Sequence, residues 1–337
     1  MRQVSIGFHC SHEQHPPSRL LRHAKLAAQA GFAHAMCSDH FAPWSHRQGH
    51  AGFTWSWLGS ALEGTPLSFG TVCAPGQRYH PAVIAQGAAT LAEMYPDRFW
   101  LAVGSGEALN EAITGAPWPA KPDRNARLKE CVDVMRALWA GEEVTLRSHV
   151  VVSRARLFVR PARPPLIVGA ALSPETARWM GAWADALVTV AGPRENMRQV
   201  VDAFREGGGE RKPMFLQVAL SCAPTDEESA AAARDQWTQA ALGSSELADI
   251  ETPADFDRAT ASATVEQVAG KVRISCDIER HLEWLRADAE LGFERLYLHN
   301  VARAHQERFI DLCATRLLPA ARGFGSAEQA EPAKFKL

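Results

Sequence analysis

The sequence predicts a (β/α)8 barrel, an α/β fold with inserted segments at the C-terminal mouth of its strands. Three observations carry the prediction. Strand-like and helix-like segments alternate along the chain, which is the signature of parallel β-α-β units. The strand candidates number eight. The first β-α turn, His9-Cys10-Ser11-His12-Glu13, lacks the glycines that a doubly wound dinucleotide fold places there.

Taken in order, Val4–Phe8 reads as a buried strand, and Pro17-Ser18 caps a helix whose Leu20, Leu21, Ala24, Ala27 and Ala28 share a face until Gly31. Strands follow at Ala33–Cys37, Leu67–Cys73 and Phe99–Val103, with helices at Pro81–Tyr95 and Arg124–Trp139. From Val144 to Val159 β-branched and polar residues alternate without a helix, which predicts a hairpin inserted on the rim. Leu166–Ala170, Ala186–Val190, Phe215–Ala219 and Arg295–Leu298 supply the last four strands, and helices are expected at 174–184, 194–207, 226–242 and 277–291. The stretch 223–276 carries an inserted helical segment near the mouth. Residues 1–322 are read as a single domain and 323–337, polar and small, as a loosely held tail.

Composition narrows the partners. With 36 basic against 38 acidic residues the chain lacks the basic footprint of a nucleic-acid binder, so a small-molecule substrate is expected. Seven separated cysteines without a C-x-x-C pair imply neither a disulfide framework nor a zinc site, and fit a reducing cytoplasm. No apolar run is long enough for a signal peptide or a membrane span.

Barrels of this kind place chemistry directly after their strands. There the sequence offers His9 and Ser11, then Ser38-Asp39-His40-Phe41 and Trp44, then Thr71-Val72-Cys73-Ala74-Pro75, then Glu107 and Asn110, then Ala171-Leu172-Ser173. His40 suits taking a proton from a hydroxyl as hydride leaves the same carbon, with Glu107 as its acid partner. A histidine at a strand end is nonetheless more often a structural hydrogen-bonder. Neighbours along a strand also point to opposite sides, so Asp39 and His40 cannot both face a substrate while the strand continues. Trp44, Trp55 and Trp57 gather in one expected loop, as a wall against a flat ring or, for the last two, as anchors of the loop. His12 and His15 do not have metal-ligand spacing, and no metal is expected. Gly104-Ser105-Gly106 is better read as a tight turn than as a phosphate loop.

Ser38-Asp39-His40-Phe41 with Pro43-Trp44, the run Arg78–Gln86, and Gly104-Ser105-Gly106-Glu107-Ala108-Leu109-Asn110-Glu111 together resemble the luciferase-like flavin and deazaflavin oxidoreductases. Within them the likeness is to the F420-dependent glucose-6-phosphate dehydrogenase branch and its FMN-using relatives. The resemblance implies the barrel, a homodimer, and a ring system across the mouth. It makes His40 the base, Glu107 the acid near the pyrimidine nitrogen, and Trp44 the aromatic wall. Asp39 and Asn110 would bond the ring edge, Thr71, Val72 and Ala74 would lie behind the ring with a cis peptide at Thr71-Val72, and Ala171, Leu172 and Ser173 would hold the phosphate.

The branch has two glycines where this chain has Leu172-Ser173. Of the three basic positions that hold the sugar phosphate, this chain matches Pro193, a neutral residue near Leu247, and one base, Lys271. Glucose 6-phosphate is therefore excluded as an expected substrate, and FMN is placed slightly ahead of F420. With FMN the reaction is a reduction or an FMNH2-dependent two-component monooxygenation served by a flavin reductase. Two other classes stay open: a barrel hydrolase pairing Glu107 with Asp39, and a non-catalytic ligand-binding barrel.

Overall fold

A computed structural model describes residues 4–324. Its strands are β1 (Ser5–Cys10), β2 (His34–Ser38), β3 (Ser68–Cys73), β4 (Phe99–Val103), β5 (Val144–Arg147), β6 (Val151–Ala155), β7 (Ile167–Ala170), β8 (Ala186–Val190), β9 (Met214–Ser221), β10 (Arg273–Ile274) and β11 (Arg295–Asn300). β1, β2, β3, β4, β7, β8, β9 and β11 pair in parallel, and the β8–β9 and β11–β1 pairings close them into an eight-stranded ring. β5 and β6 form the expected antiparallel hairpin outside it, and two-residue β10 extends β9.

The α-helices are α1 (Pro17–Ala30), α2 (Thr54–Gly64), α3 (Pro81–Met94), α4 (Ala108–Glu111), α5 (Lys121–Ala140), α6 (Pro174–Trp183), α7 (Arg194–Phe204), α8 (Asp226–Gln236), α9 (Ser244–Asp249), α10 (Pro253–Ala259), α11 (Val265–Ala269), α12 (Ile278–Ala289), α13 (Gln306–Leu312) and α14 (Leu318–Ala321). Short α8 to α11 make up the insertion between β9 and β10. Two expectations need correction. α1 does start at Pro17, but Ser18 does not cap it; the N-cap is Pro16, which has no capping side chain. Trp55 and Trp57 lie not in a loop but on α2, where Trp57 packs on Phe69 and Trp55 on Phe99. Of the tail expected at 323–337, only Gly323 and Phe324 fall within the described residues, and the Phe324 ring is buried.

Strand parity divides the core. Ile6, Phe8, Ala35, Cys37, Phe69, Leu101, Leu296 and Leu298 face the helices. Met36, Trp100, Val168, Val188, Phe215 and Tyr297 fill the barrel interior. Gly70 and Gly7 are required there, because a Cβ on either would collide with the Trp100 indole or the Tyr297 ring. One step further along β1 and β11, His9 and His299 continue the inward face above this apolar plug. Their rings stack at 4.4 Å, which gives the mouth a polar floor.

Candidate active site

The alternation that puts Met36 inside carries Ser38 and then His40 to the mouth, and turns Asp39 to the opposite side. Asp39 is buried there, with its carboxylate accepting from Trp55 Nε1 at 3.2 Å and Tyr79 Oη at 3.1 Å, while Arg78 lies 3.6 Å away. Burial pushes its pKa up, against the pull of Arg78 and those donors. The expected contact of Asp39 with a ring edge is thus not what the structure shows: both oxygens are engaged behind the site. A hydrolytic pair with Glu107 loses its second carboxylate for the same reason.

Glu13 fills the place behind His40, and sequence reasoning did not find it. Its Oε1 lies 3.2 Å from His40 Nδ1, and its Oε2 accepts from Ser11 Oγ at 2.7 Å. The loop after β1 holds it rigidly: His50 N donates to the Glu13 carbonyl, and the next residue, Gln14, is anchored by His299, Gln236 and the Val301 carbonyl. Burial would push the Glu13 carboxyl up, but His40 and the seryl hydroxyls around it hold it down at about 2. A carboxylate fixed at Nδ1 favours the tautomer that leaves Nε2 to face the mouth.

Across the mouth, Glu107 Oε2 is 3.9 Å from His40 Nε2. Glu107 follows Gly104-Ser105-Gly106, and Gly106 adopts φ +86° with Ala74, Trp118 and Glu111 atoms 3.2–3.3 Å from where a Cβ would lie. Only glycine suits that turn, as expected of a strand-to-helix turn. Burial raises the Glu107 pKa to about 7, with His40 opposing and the charges of Glu13 and Glu111 adding to it. The two groups facing the mouth therefore differ in kind: one is an imidazole backed by a firm anion, the other a carboxyl that keeps its proton near neutrality.

Arg78 fixes the distance between them. It donates to the Asp39 carbonyl at 2.7 Å, its backbone N–H donates to Glu111 Oε2 at 2.6 Å, and its guanidinium stacks on Tyr79 at 4.3 Å. Asp39 adjoins His40, and Glu111 lies one helical turn past Glu107. The run Arg78–Gln86 signalled this network in the sequence, but only as a likeness.

Trp44 is buried, its ring edge-on to His40 at 5.0 Å and to Phe256 at 5.2 Å. Leu109 and Leu242 complete that wall. Next to Phe256, Asp257 grips the segment after Trp44 through Ser45 Oγ at 2.5 Å and His46 Nδ1 at 2.9 Å. Lys271 sits at the edge of this wall, its Nζ donating to the Leu242 carbonyl at 2.5 Å.

The remaining expected residues divide. Asn110 Oδ1 accepts from Phe41 N at 2.9 Å and so pins the His40 loop. Thr71 faces the helices, with its hydroxyl donating to the Cys37 carbonyl at 3.3 Å, whereas Val72 packs at the edge of the interior plug. Ala74 adjoins the Gly106 turn. The cis peptide expected at Thr71-Val72 is absent, since every peptide bond among the described residues is trans. Ala171 is buried, Leu172 is half exposed, and Ser173 caps α6 by accepting from Thr176 N at 3.3 Å. Its hydroxyl donates to Thr176 Oγ1, so it is not the free donor expected for a phosphate. His12 packs edge-on against Trp57 and His15 against His23; among the described residues no group of three side chains converges as metal ligands. No helix among them is long and apolar enough to cross a membrane.

Residues 4–295 match the family described as luciferase-like monooxygenase. The chain is 35% identical over 330 residues to an F420-dependent glucose-6-phosphate dehydrogenase of Beutenbergia cavernae, covering 95% of this chain and 98% of the relative. It is 36% identical to the protein of that name from Nakamurella multipartita, covering 95% and 97%. Among solved structures, an F420-dependent secondary alcohol dehydrogenase in complex with an F420-acetone adduct superposes with a TM-score of 0.86 at 27% identity, over 95% of this chain and 99% of that one. An F420-dependent tetrahydromethanopterin reductase from Methanopyrus kandleri shares the fold, with a TM-score of 0.74 at 16% identity over 94% and 99%.

Proposed function

The chain belongs to the luciferase-like monooxygenase family, and from that premise we propose that it is an F420-dependent dehydrogenase acting on the carbinol carbon of an alcohol. The observation that carries this reading is the pairing of His40 Nε2 and Glu107 Oε2 at 3.9 Å, one backed by Glu13 and the other protonated up to about pH 7. Titratable neighbours with opposed environments divide base and acid between them.

The residues present fit a planar cofactor. Small Val72 and Ala74 lie on one side of the mouth, His40 and Glu107 open into it, and at the start of α6, where Ser173 already caps Thr176 N, the Glu175 N–H is left to meet an anion. When bound, the deazaflavin supplies the hydride acceptor. The chain does the rest. His40 Nε2 takes the hydroxyl proton, Glu13 steadies the imidazolium that results, and Glu107 holds a proton ready at its carboxyl. Trp44 and Phe256 shut water from one side of the carbinol. FMN, placed slightly ahead by the sequence, has no support from the relatives described above, and the reading needs no flavin reductase.

The relatives' names differ in what the alcohol carries, and the mouth of this chain favours an uncharged secondary alcohol over glucose 6-phosphate. Pro193 brings no charge, Lys271 spends a hydrogen on a carbonyl, and the wall around Trp44 is apolar. A buried phosphate dianion relies on charge-assisted bonds. The homodimer is carried over as part of the proposal and is tested by sedimentation.

Fluorescence titration with F420 and with FMN, then turnover with simple secondary alcohols and with glucose 6-phosphate, tests the whole reading. Micromolar F420 binding and alcohol-dependent loss of oxidised cofactor are expected. Binding of FMN alone refutes the cofactor, and turnover confined to glucose 6-phosphate refutes the substrate class.

A further inference from the structure

Away from the mouth's centre, a cleft of about 540 Å³ lies where the start of α1 meets the segment after β11. It is lined by Ser18, Arg19, Arg22, His23, Arg303 and Gln306, with Glu307 at its side. α1 is 14 residues long, follows a proline without a capping side chain, and has no acid in its first turn. A helix start normally attracts an anion to its free amides and positive dipole. Here that end faces cations.

Those cations are incompletely matched. Arg19 is exposed and has no hydrogen bond or ion pair among the described residues. Arg22 pairs with Glu307 at 3.1 Å, and Arg303 gives one nitrogen to the carbonyls of Arg47 and Gln48 at 3.2 and 3.0 Å. Three guanidinium groups thus meet one carboxylate.

His23 gives the independent sign. It is 3% exposed, lines both the cleft and the narrower seam beside it, and its buried Nδ1 has no hydrogen-bond partner among the described residues. Its only close ring neighbour there is His15, edge-on at 4.8 Å. Buried polar groups are ordinarily partnered, and those that are not mark places where a ligand or ion belongs.

We propose that this cleft binds a phosphate-type oxyanion, free or as a monoester. Arg19, Arg22 and Arg303 supply charge, the first amides of α1 supply backbone donors, and His23 supplies a neutral donor at the base. Donors on several sides suit an anion with several oxygens better than a planar carboxylate with two. The site is independent of the proposed redox chemistry and lies apart from the start of α6.

The test is titration of the full-length protein with inorganic phosphate, and separately with glycerol 3-phosphate, at constant ionic strength. Calorimetry follows binding, and the His23 ring resonances, assigned with His23→Gln, report its place. Saturable binding that moves His23 is expected, weakened about tenfold by Arg19→Ala or Arg22→Ala and largely kept by Arg19→Lys. Tighter binding of the ester assigns the monoester, and equal binding assigns the phosphate group itself. Unmoved His23 resonances with both ligands, or binding indifferent to the arginine substitutions, overturns the proposal; the His23 readout on the unaltered protein stands even if a variant fails to fold.

Discussion

Replacing Glu13 with glutamine removes the charge behind His40 and keeps its shape. The Glu13 carboxyl stands at about 2 against 4.5 for an unperturbed one, and at about 1.4 kcal/mol per unit that depression corresponds to about 3 kcal/mol. Burial opposes it, so the attraction to its surroundings is larger still. His40 leads the causes that lower it, ahead of the Ser38 and Ser11 hydroxyls and a backbone donor, so when His40 takes a proton a share of that attraction, at most about 3 kcal/mol or about two decades in rate, stabilises the imidazolium. Glu13→Gln should therefore lower kcat for alcohol oxidation by about tenfold to 100-fold while cofactor affinity stays within a few-fold, because Glu13 is buried behind His40. Stability gives a second reading. The folded pKa lies below the unfolded one, so the contribution is complete above pH 4.5 and lost as the pH falls towards 2. Urea unfolding across that range should show the difference between the parent and the variant shrinking. A turnover within threefold of the parent, in a folded variant, would refute the reasoning.

Glu107 has the opposite linkage: its pKa rises from 4.5 to about 7 on folding, so stability is lost as the pH rises through that window. Glu107→Gln should slow turnover, abolish the decline in activity above about pH 7, and stabilise the fold at pH 8 by up to about 3 kcal/mol; unaltered pH dependence counts against the acid role. Asp257→Asn should loosen the segment carrying Trp44 and raise KM about tenfold with a smaller change in kcat, while Asp257→Glu recovers part of it; steady-state kinetics decides. Gly70→Ala should cost at least about 3 kcal/mol in chemical denaturation, because its methyl occupies the Trp100 indole's place.

The fold was legible because it is written in periodicity. Phe99–Val103 and Ala186–Val190 coincide with the observed strands, since apolar runs between turn residues have few other uses. α2 was missed because Thr54-Trp55-Ser56-Trp57 spaces its aromatics by two, which masks the helical period until the partners Phe69 and Phe99 are known. Within the site, His40, Glu107 and Trp44 stand where a reading of strand ends puts them. Thr71 does not: Gly70 points inward against Trp100, so parity along β3 turns Thr71 to the helices and Val72 towards the mouth. Glu13 carried no local signal. Its role depends on meeting a side chain 27 positions later, and only the β1–β2 pairing makes them neighbours.

Strand parity also accounts for why the base and acid proposed above come from separate strands. A base and an acid on one strand end would be neighbours in sequence, and parity would send them to opposite faces, as it does Asp39 and His40. Drawing them from β2 and β4 lets both face inward, but then nothing local sets their spacing. Arg78, from the loop after β3, spans the gap: it reaches Asp39, next to His40, on one side and Glu111, one helical turn past Glu107, on the other. Such a buried network is costly to desolvate and costlier to break, since loss of one partner strands the others' charges. Its use lies in geometry more than in stability, because at 3.9 Å His40 Nε2 and Glu107 Oε2 open onto the same small volume of the mouth, where a base and an acid can each reach one of two reactants held side by side.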